Sequence, residues 1–363
     1  MSTLLHEFHQ SLGARFTSVN GAEIVADYGD ALAEHAALRT TAGVLDLSSR
    51  SRICLVGADR ARYLHGQVTN EVKKLVPGTG IYATVTTAKG KMEADLNILC
   101  LADELLLDFE PGLTEKITQR LERFIVADDV QIVDAAPHYG LLTVQGPRAA
   151  EVVCALGLPG DTTPPARVYQ SHKIADATLG ELYLVNLPRL GTTGFDLYVP
   201  NDSLGAVADK LIAAARQIGG RAAGWTAFEI ARIEAGLPRF GADMDETNIP
   251  LECGLEARAV SYSKGCYIGQ EVINRIHSVG HVNRELRGLR LAHALPALPA
   301  RGEKLFHEGK EVGYVTSAVH SPTLQATIAL GYVRREVNQI GNELVLRSSG
   351  GDSAARIVGL PFV

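Results

Sequence analysis

The chain has 363 residues, of which 46% are hydrophobic and 21% charged, and its 35 basic and 41 acidic side chains give a formal net charge of -6. That length leaves room for two or three domains. The ordinary composition excludes disorder and collagen-like repeats, and the charge balance supplies no global attraction to nucleic acid or an anionic membrane. The five cysteines, Cys54, Cys100, Cys154, Cys253 and Cys266, are an odd number without a C-x-x-C pair. That pattern disfavours a structural zinc site, a self-contained iron–sulfur cluster and a secreted disulfide framework. No stretch approaches the roughly 20 apolar residues of a membrane span, and the first ten residues lack a basic segment followed by an apolar run. A cytoplasmic protein is expected.

Leu4, Leu5, Phe8 and Leu12 share one helical face, and Ala31 to Leu38 reads as a second short helix. From Ser51 the pattern becomes strand–helix–strands–helix–strand. Arg52 to Val56 is the first strand, and Asp59 can cap a helix carrying Tyr63 and Leu64. Ile81 to Thr87, Leu96 to Leu101 and Leu105 to Phe109 follow as strands. Leu113, Ile117, Leu121 and Phe124 recur at helical spacing, and Val130 to Val133 closes the block. This order predicts an α+β layer of the split βαβ kind.

Gly140 to Gly146 restarts the strand pattern, and Pro147 suits the first turn of a helix ending near Gly157. Asn201 or Asp202 can cap a helix whose apolar stripe includes Leu204, Val207, Leu211 and Ile218. Thr226-Ala227-Phe228-Glu229 has the form of a capping box, and Gly236 with Pro238 supplies the stop for a helix over 227–235. After Arg284, alternating apolar residues between Gly-rich turns predict short strands around 313–317, 328–333 and 344–346, which suits a small C-terminal β-barrel or sandwich.

Unusual residues concentrate between Arg239 and Gln270. Phe240 to Glu252 carries its acids in a Gly- and Pro-punctuated stretch that cannot be one regular element. Its plain reading is a solvated loop; its functional reading is a set of acceptors for a ligand. Glu252 stands apart between Leu251 and Cys253, where a partly buried carboxylate suits a ring presenting adjacent N–H donors. In Lys264-Gly265-Cys266-Tyr267-Ile268-Gly269-Gln270-Glu271, glycines flank a thiol, and Lys264 is placed to lower its pKa toward the nucleophilic thiolate. The alternative for Cys266 is a small buried hydrophobe. His277 and His281 have the i, i+4 spacing of a metal pair, but Gly280 intervenes and no acid partner is near, so no metal is expected. Lys89-Gly90-Lys91 reads as a solvated turn or as a guide for an anion. No nucleophile elbow, P-loop or dinucleotide fingerprint is present.

The segment Lys264 to Glu271 resembles the signature of the YgfZ family, folate-binding proteins linked to iron–sulfur cluster assembly, which are similar in fold to the aminomethyltransferase (T-protein) of the glycine cleavage system. The resemblance extends through Ala231 to Leu237, Gly241 to Glu252, Tyr63 to Val72, Leu142 to Pro147 and Val312 to Ser317. It implies an α+β, three-domain ring of the aminomethyltransferase folate-binding type. The divisions are 1–50 with 137–283, 51–136, and a C-terminal β-barrel over 284–363. It also implies tetrahydrofolate as cofactor, with Glu252 holding the pterin ring and Tyr82, Arg284 and Asn70 lining the site. Arg284 would face the folate carboxylate tail, and Tyr82 is equally a strand residue of the core.

One stretch departs from the transferases. Where they have a Gly-Gly turn leading into paired aspartates, this chain has Ala88-Lys89-Gly90-Lys91-Met92-Glu93-Ala94, so Glu93 stands at one position and Ala94 at the other. Arg189 to Asp196 also lacks their Thr-Gly-Glu element. The resemblance therefore implies an accessory protein supporting assembly or repair of iron–sulfur clusters in client enzymes, including tRNA-thiolating ones. Cys266, Lys264 and Glu93 would be its reactive groups, folate and iron–sulfur client or assembly proteins its partners, and neither nucleic acid nor membrane a direct one. The alternative is a folate-dependent aminomethyltransferase using Glu93.

Overall fold

The computed structural model describes residues 3–159, 163–293 and 295–363. The chain forms two compact units, one of Met1–Gln67, Glu71–Ala83 and Leu96–Phe228, the other of Val68–Asn70, Thr84–Asp95 and Glu229–Val363. Among the described residues no helix is long and apolar enough to cross a membrane.

In the first unit a six-stranded sheet runs in the order Ser171–Asp176, Gly180–Asn186, Gly194–Pro200, Tyr139–Gln145, Gly43–Asp46, Arg221–Ala222. Helices Ala149–Cys154 and Asn201–Gln217 pack on it. In the longer helix the expected stripe of Leu204, Val207 and Leu211 is fully buried against Leu142, Val144 and Leu197. Its start differs from expectation: no side chain caps it, because the Asn201 amide instead donates to the carbonyls of Ala136 and Pro137.

The second sheet has five strands in the order Thr79–Thr86, Met92–Cys100, Leu105–Phe109, Ser51–Val56, Gln131–Asp134. The split βαβ unit is there, formed by Leu105–Phe109, helix Thr114–Glu122 and Gln131–Asp134. Ser51–Val56 lies between the two outer strands and is antiparallel to both. Buried ion pairs link strands of the two sheets: Asp108 of Leu105–Phe109 pairs with Arg50 at 2.7 Å and with Arg189 at 2.8 Å, and Arg189 pairs with Asp196 of Gly194–Pro200 at 2.6 Å.

In the second unit the C-terminal strands close a six-stranded antiparallel barrel, Arg284–Leu291, Ala326–Arg334, Lys310–Ser321, Lys304–His307, Glu343–Ser348 and Gly351–Val358. Closure pairs the first strand with the last and leaves no open edge. Leu289, Val315, Ala329, Leu346 and Ile357 fill it. The register slips between Val315 and Ser317, a bulge of the kind that re-aims a side chain, here Thr316.

The capping box at Thr226 is not formed. The helix runs Trp225–Glu234 with Thr226 inside it, and the Glu229 carboxylate binds Arg232 at 2.8 Å and Arg239 at 3.1 Å. Two guanidinium groups outcompete a backbone N–H for the carboxylate. Gly236, at φ +67°, ends the helix as expected.

Candidate functional site

The acidic stretch after Arg239 is a hydrogen-bonded framework, not a solvated loop. Asp243 is buried and receives Arg232 Nη1 at 2.5 Å, the bulged Thr316 hydroxyl at 2.6 Å and Arg239 N at 3.1 Å. Burial pushes its carboxyl upward, but Arg232 and the hydroxyl donors outweigh this and hold it below the usual carboxylate range. Asp245 accepts from Thr247 N and Oγ1 at 2.8 and 2.6 Å and pairs with Arg301 at 2.7 Å. The plain reading failed because each acid that matters has its own donor from a distant element.

The framework presents Glu252. This residue is buried, its N–H bonds to Ile249 O at 3.0 Å, and its carbonyl accepts from Leu286 N of the barrel at 2.8 Å. Its Oε2 receives Asn248 Nδ2 and Ile249 N, both at 3.3 Å, while Oε1 lies 3.5 Å from Arg284 Nε. Charge-assisted bonds to a carboxylate normally close to about 2.7–2.9 Å. All three contacts are longer, so the carboxylate keeps acceptor capacity for an incoming pair of N–H donors.

Arg284 is already engaged within the protein. Besides Glu252 it donates to Tyr314 OH at 3.0 Å, and its guanidinium lies 5.0 Å from the Tyr332 ring centroid and 5.7 Å from that of Tyr314. Both rings come from directly paired positions of neighbouring barrel strands. The floor is apolar and sulfur-rich, with Cys253 Sγ 3.1 Å from Tyr332 OH and 3.9 Å from Met92 Sδ. Burial pushes the Cys253 thiol up to about 12, so it stays protonated at neutral pH.

The strand that carries Glu93 is pinned to this turn. Lys91 Nζ donates to Thr247 O at 2.5 Å, and Met92 N donates to Asn248 O at 2.9 Å. Lys91 is therefore a structural cation, while Lys89 is exposed, and Glu93 follows Met92 directly with its side chain half-buried. Tyr82 lies on Thr79–Thr86, buried, within the first unit.

The cysteine motif behaves differently from expectation. Lys264 is buried, and its ammonium donates to the carbonyls of Val68 at 2.6 Å and Asn70 at 2.9 Å and lies 4.8 Å from the Tyr267 ring centroid. Its ammonium is directed at these backbone oxygens and at the Tyr267 ring. Cys266 is exposed, which removes the buried-hydrophobe alternative. Asn70 Nδ2 donates to Arg258 O at 3.1 Å. Gly269 serves packing: it holds φ +91° and a Cβ there would lie 2.6 Å from Thr86 Oγ1 and 2.7 Å from Thr87 O. The motif is thus locked to the turn that precedes Glu93.

His277 stacks on Tyr262 at 3.8 Å and binds Glu256 at 2.6 Å, whereas His281 lies beyond the end of helix Gln270–Val279. Among the described residues no His, Cys, Asp and Glu group could hold a metal ion. Sequence reasoning missed Asn248, Tyr314 and Tyr332. Asn248 carried no motif, and the tyrosines meet only through the barrel register.

The chain matches two domain models, the GCVT N-terminal domain over residues 5–264 and the glycine cleavage T-protein C-terminal barrel domain over residues 284–363. An aminomethyltransferase from Cupriavidus necator is 30% identical, with 100% of this chain and 97% of that protein covered. One from Mycolicibacterium paratuberculosis is 30% identical over 99% of this chain and 96% of its own. The crystal structure of glycine cleavage system aminomethyltransferase T from Bartonella henselae matches with a TM-score of 0.90 at 25% sequence identity, covering 100% of this chain and 98% of that one.

Proposed function

Because the chain belongs to the glycine cleavage T-protein family, we propose that it binds a reduced folate at Glu252 and acts in folate-dependent one-carbon transfer. The observation that carries this is the Glu252 carboxylate, buried and, among the described residues, held by long contacts at 3.3 to 3.5 Å. Such an acceptor pair fits the adjacent N–H donors of a pterin edge. Tyr314, partly exposed, offers a flat surface, and Arg284 offers a cation already oriented by its tyrosine neighbours. When bound, tetrahydrofolate would supply the nitrogen nucleophile that accepts a one-carbon unit.

Full-length relatives named aminomethyltransferase support aminomethyl as the transferred group. In that reading Glu93, on the strand pinned to the Glu252 turn, would take the proton that the accepting nitrogen loses as it bonds the one-carbon unit, whose bond to its carrier breaks. It has a methylene more than the aspartate it replaces, and a misplacement of about 1 Å costs on the order of a hundredfold in rate. A slow transferase is the expectation. The three-part division at 51, 137 and 284 and a cytoplasmic location belong to the same proposal.

A second reading keeps the folate site and makes the chain a YgfZ-like accessory factor for iron–sulfur clusters in client enzymes. It is favoured by the exposed Cys266 thiol within Lys264 to Glu271, and by Ala94 in place of an acid. One thiol cannot ligate a cluster alone, so a client, an assembly protein or a small thiol would supply the rest.

Turnover of tetrahydrofolate with aminomethylated carrier protein tests the choice. Turnover by the wild type that disappears in Glu93→Gln supports the transferase. Absent turnover, together with a deletion strain rescued by the wild type but not by Cys266→Ser, overturns it in favour of the accessory role.

A further inference from the structure

Arg52, on strand Ser51–Val56 of the first unit, is a fully buried guanidinium. Nη1 donates to Arg50 O at 2.8 Å, and Nη2 to Ser48 O at 3.0 Å and Tyr139 O at 2.9 Å. Its Nε–H has no partner among the described residues. Tyr198, on Gly194–Pro200 of the same unit, is also fully buried, and its hydroxyl too has no partner among the described residues. Both side chains line one cavity of about 30 Å³, together with Cys54, Glu104, Tyr139 and Tyr183.

Buried donors left unmade are costly and rare in native proteins. Two of them bordering one small space identify what the space takes. A single water needs roughly 10–15 Å³ and two to four polar partners, and the cavity meets both conditions. A halide would also accept from two donors, but it cannot donate, and the Glu104 carboxylate on the same wall would repel it. We propose that this cavity is a binding site for one water molecule, which accepts from Arg52 Nε–H, hydrogen-bonds Tyr198 OH and donates toward Glu104. The site joins a strand of each sheet through a molecule other than the chain itself.

The sign of one substitution tests this. If the hydroxyl is bonded to water, Tyr198→Phe, which keeps the ring, raises the unfolding equilibrium constant about two- to tenfold. If the hydroxyl is orphaned, removing it leaves the constant unchanged or lowers it, and the proposal fails. A high-resolution crystal structure of the wild type, with a bromide soak, decides independently of that variant. Water density about 2.7–3.2 Å from both Nε and the hydroxyl is expected. A bromide anomalous peak, or an empty cavity, overturns the proposal.

Discussion

Gly269 joins the cysteine motif to the turn that leads into Glu93, and Gly269→Ala measures how tightly. Two costs are separable. A side chain at φ +91° is held in left-handed backbone, which costs roughly 1–2 kcal/mol. The new Cβ would also lie 2.6 Å from Thr86 Oγ1 and 2.7 Å from Thr87 O, the second a backbone atom that cannot swing aside. Overpacking of that kind costs roughly 1–3 kcal/mol. Alanine restricts the unfolded chain and returns about 0.4–1 kcal/mol, leaving a net loss of about 1–5 kcal/mol.

Gly302 is the control, with φ +93° and nothing within 4 Å of where a Cβ would lie, so Gly302→Ala carries the backbone cost alone. Urea unfolding should show a lower midpoint at unchanged slope for both variants, with Gly269→Ala the lower by about 1–3 kcal/mol. Equal losses would refute the claim that the motif is seated against the Thr86–Gly90 turn.

Thiol counting tests the burial pattern. Two of five thiols, Cys154 and Cys266, should react with an aromatic disulfide reagent in the native protein, one in Cys266→Ser, and all five in guanidinium. Rapid reaction of Cys253 would contradict its place under Tyr332. Asp243→Asn breaks a buried ion pair from one side and should cost about 3–5 kcal/mol at neutral pH. Because the folded Asp243 carboxyl is held below its ordinary 3.8, its contribution is present above that value and lost as pH falls through and below it. The variant should therefore lose less stability on acidification than the wild type. Glu229, also held down by Arg232 and Arg239 against the opposing effect of burial, keeps its own share of the acid response. A parallel pair of stability curves below pH 4 would count against the assignment.

Elements with a strong local pattern were legible in the sequence. The Leu204, Val207, Leu211 stripe follows from periodicity, because burial on one side leaves a repeating trace, and the strand Leu105–Phe109, buried at every position, follows from its short apolar run. The prominence of Glu252 was legible too, since an acid between apolar neighbours signals burial. Partners distant in the chain were not. Glu229 fits a capping box locally, yet Arg239 ten residues on takes its carboxylate. Asp243 reads as a loop acid until the barrel bulge brings Thr316 to it. Lys264 is two residues from Cys266 in sequence, but its ammonium is drawn to the carbonyls of Val68 and Asn70, nearly two hundred residues upstream.

The most direct test of the proposed folate site is calorimetric titration of the wild type and Glu252→Gln with tetrahydrofolate. Glutamine keeps the shape and one acceptor oxygen but removes the charge that a pterin edge would meet. Losing a charge-assisted contact of about 1.5–3 kcal/mol weakens binding by roughly ten- to a hundredfold. The account predicts that weakening, with the thermal unfolding of the variant close to that of the wild type. Absent binding by the wild type, or equal affinities for the two proteins, would contradict it.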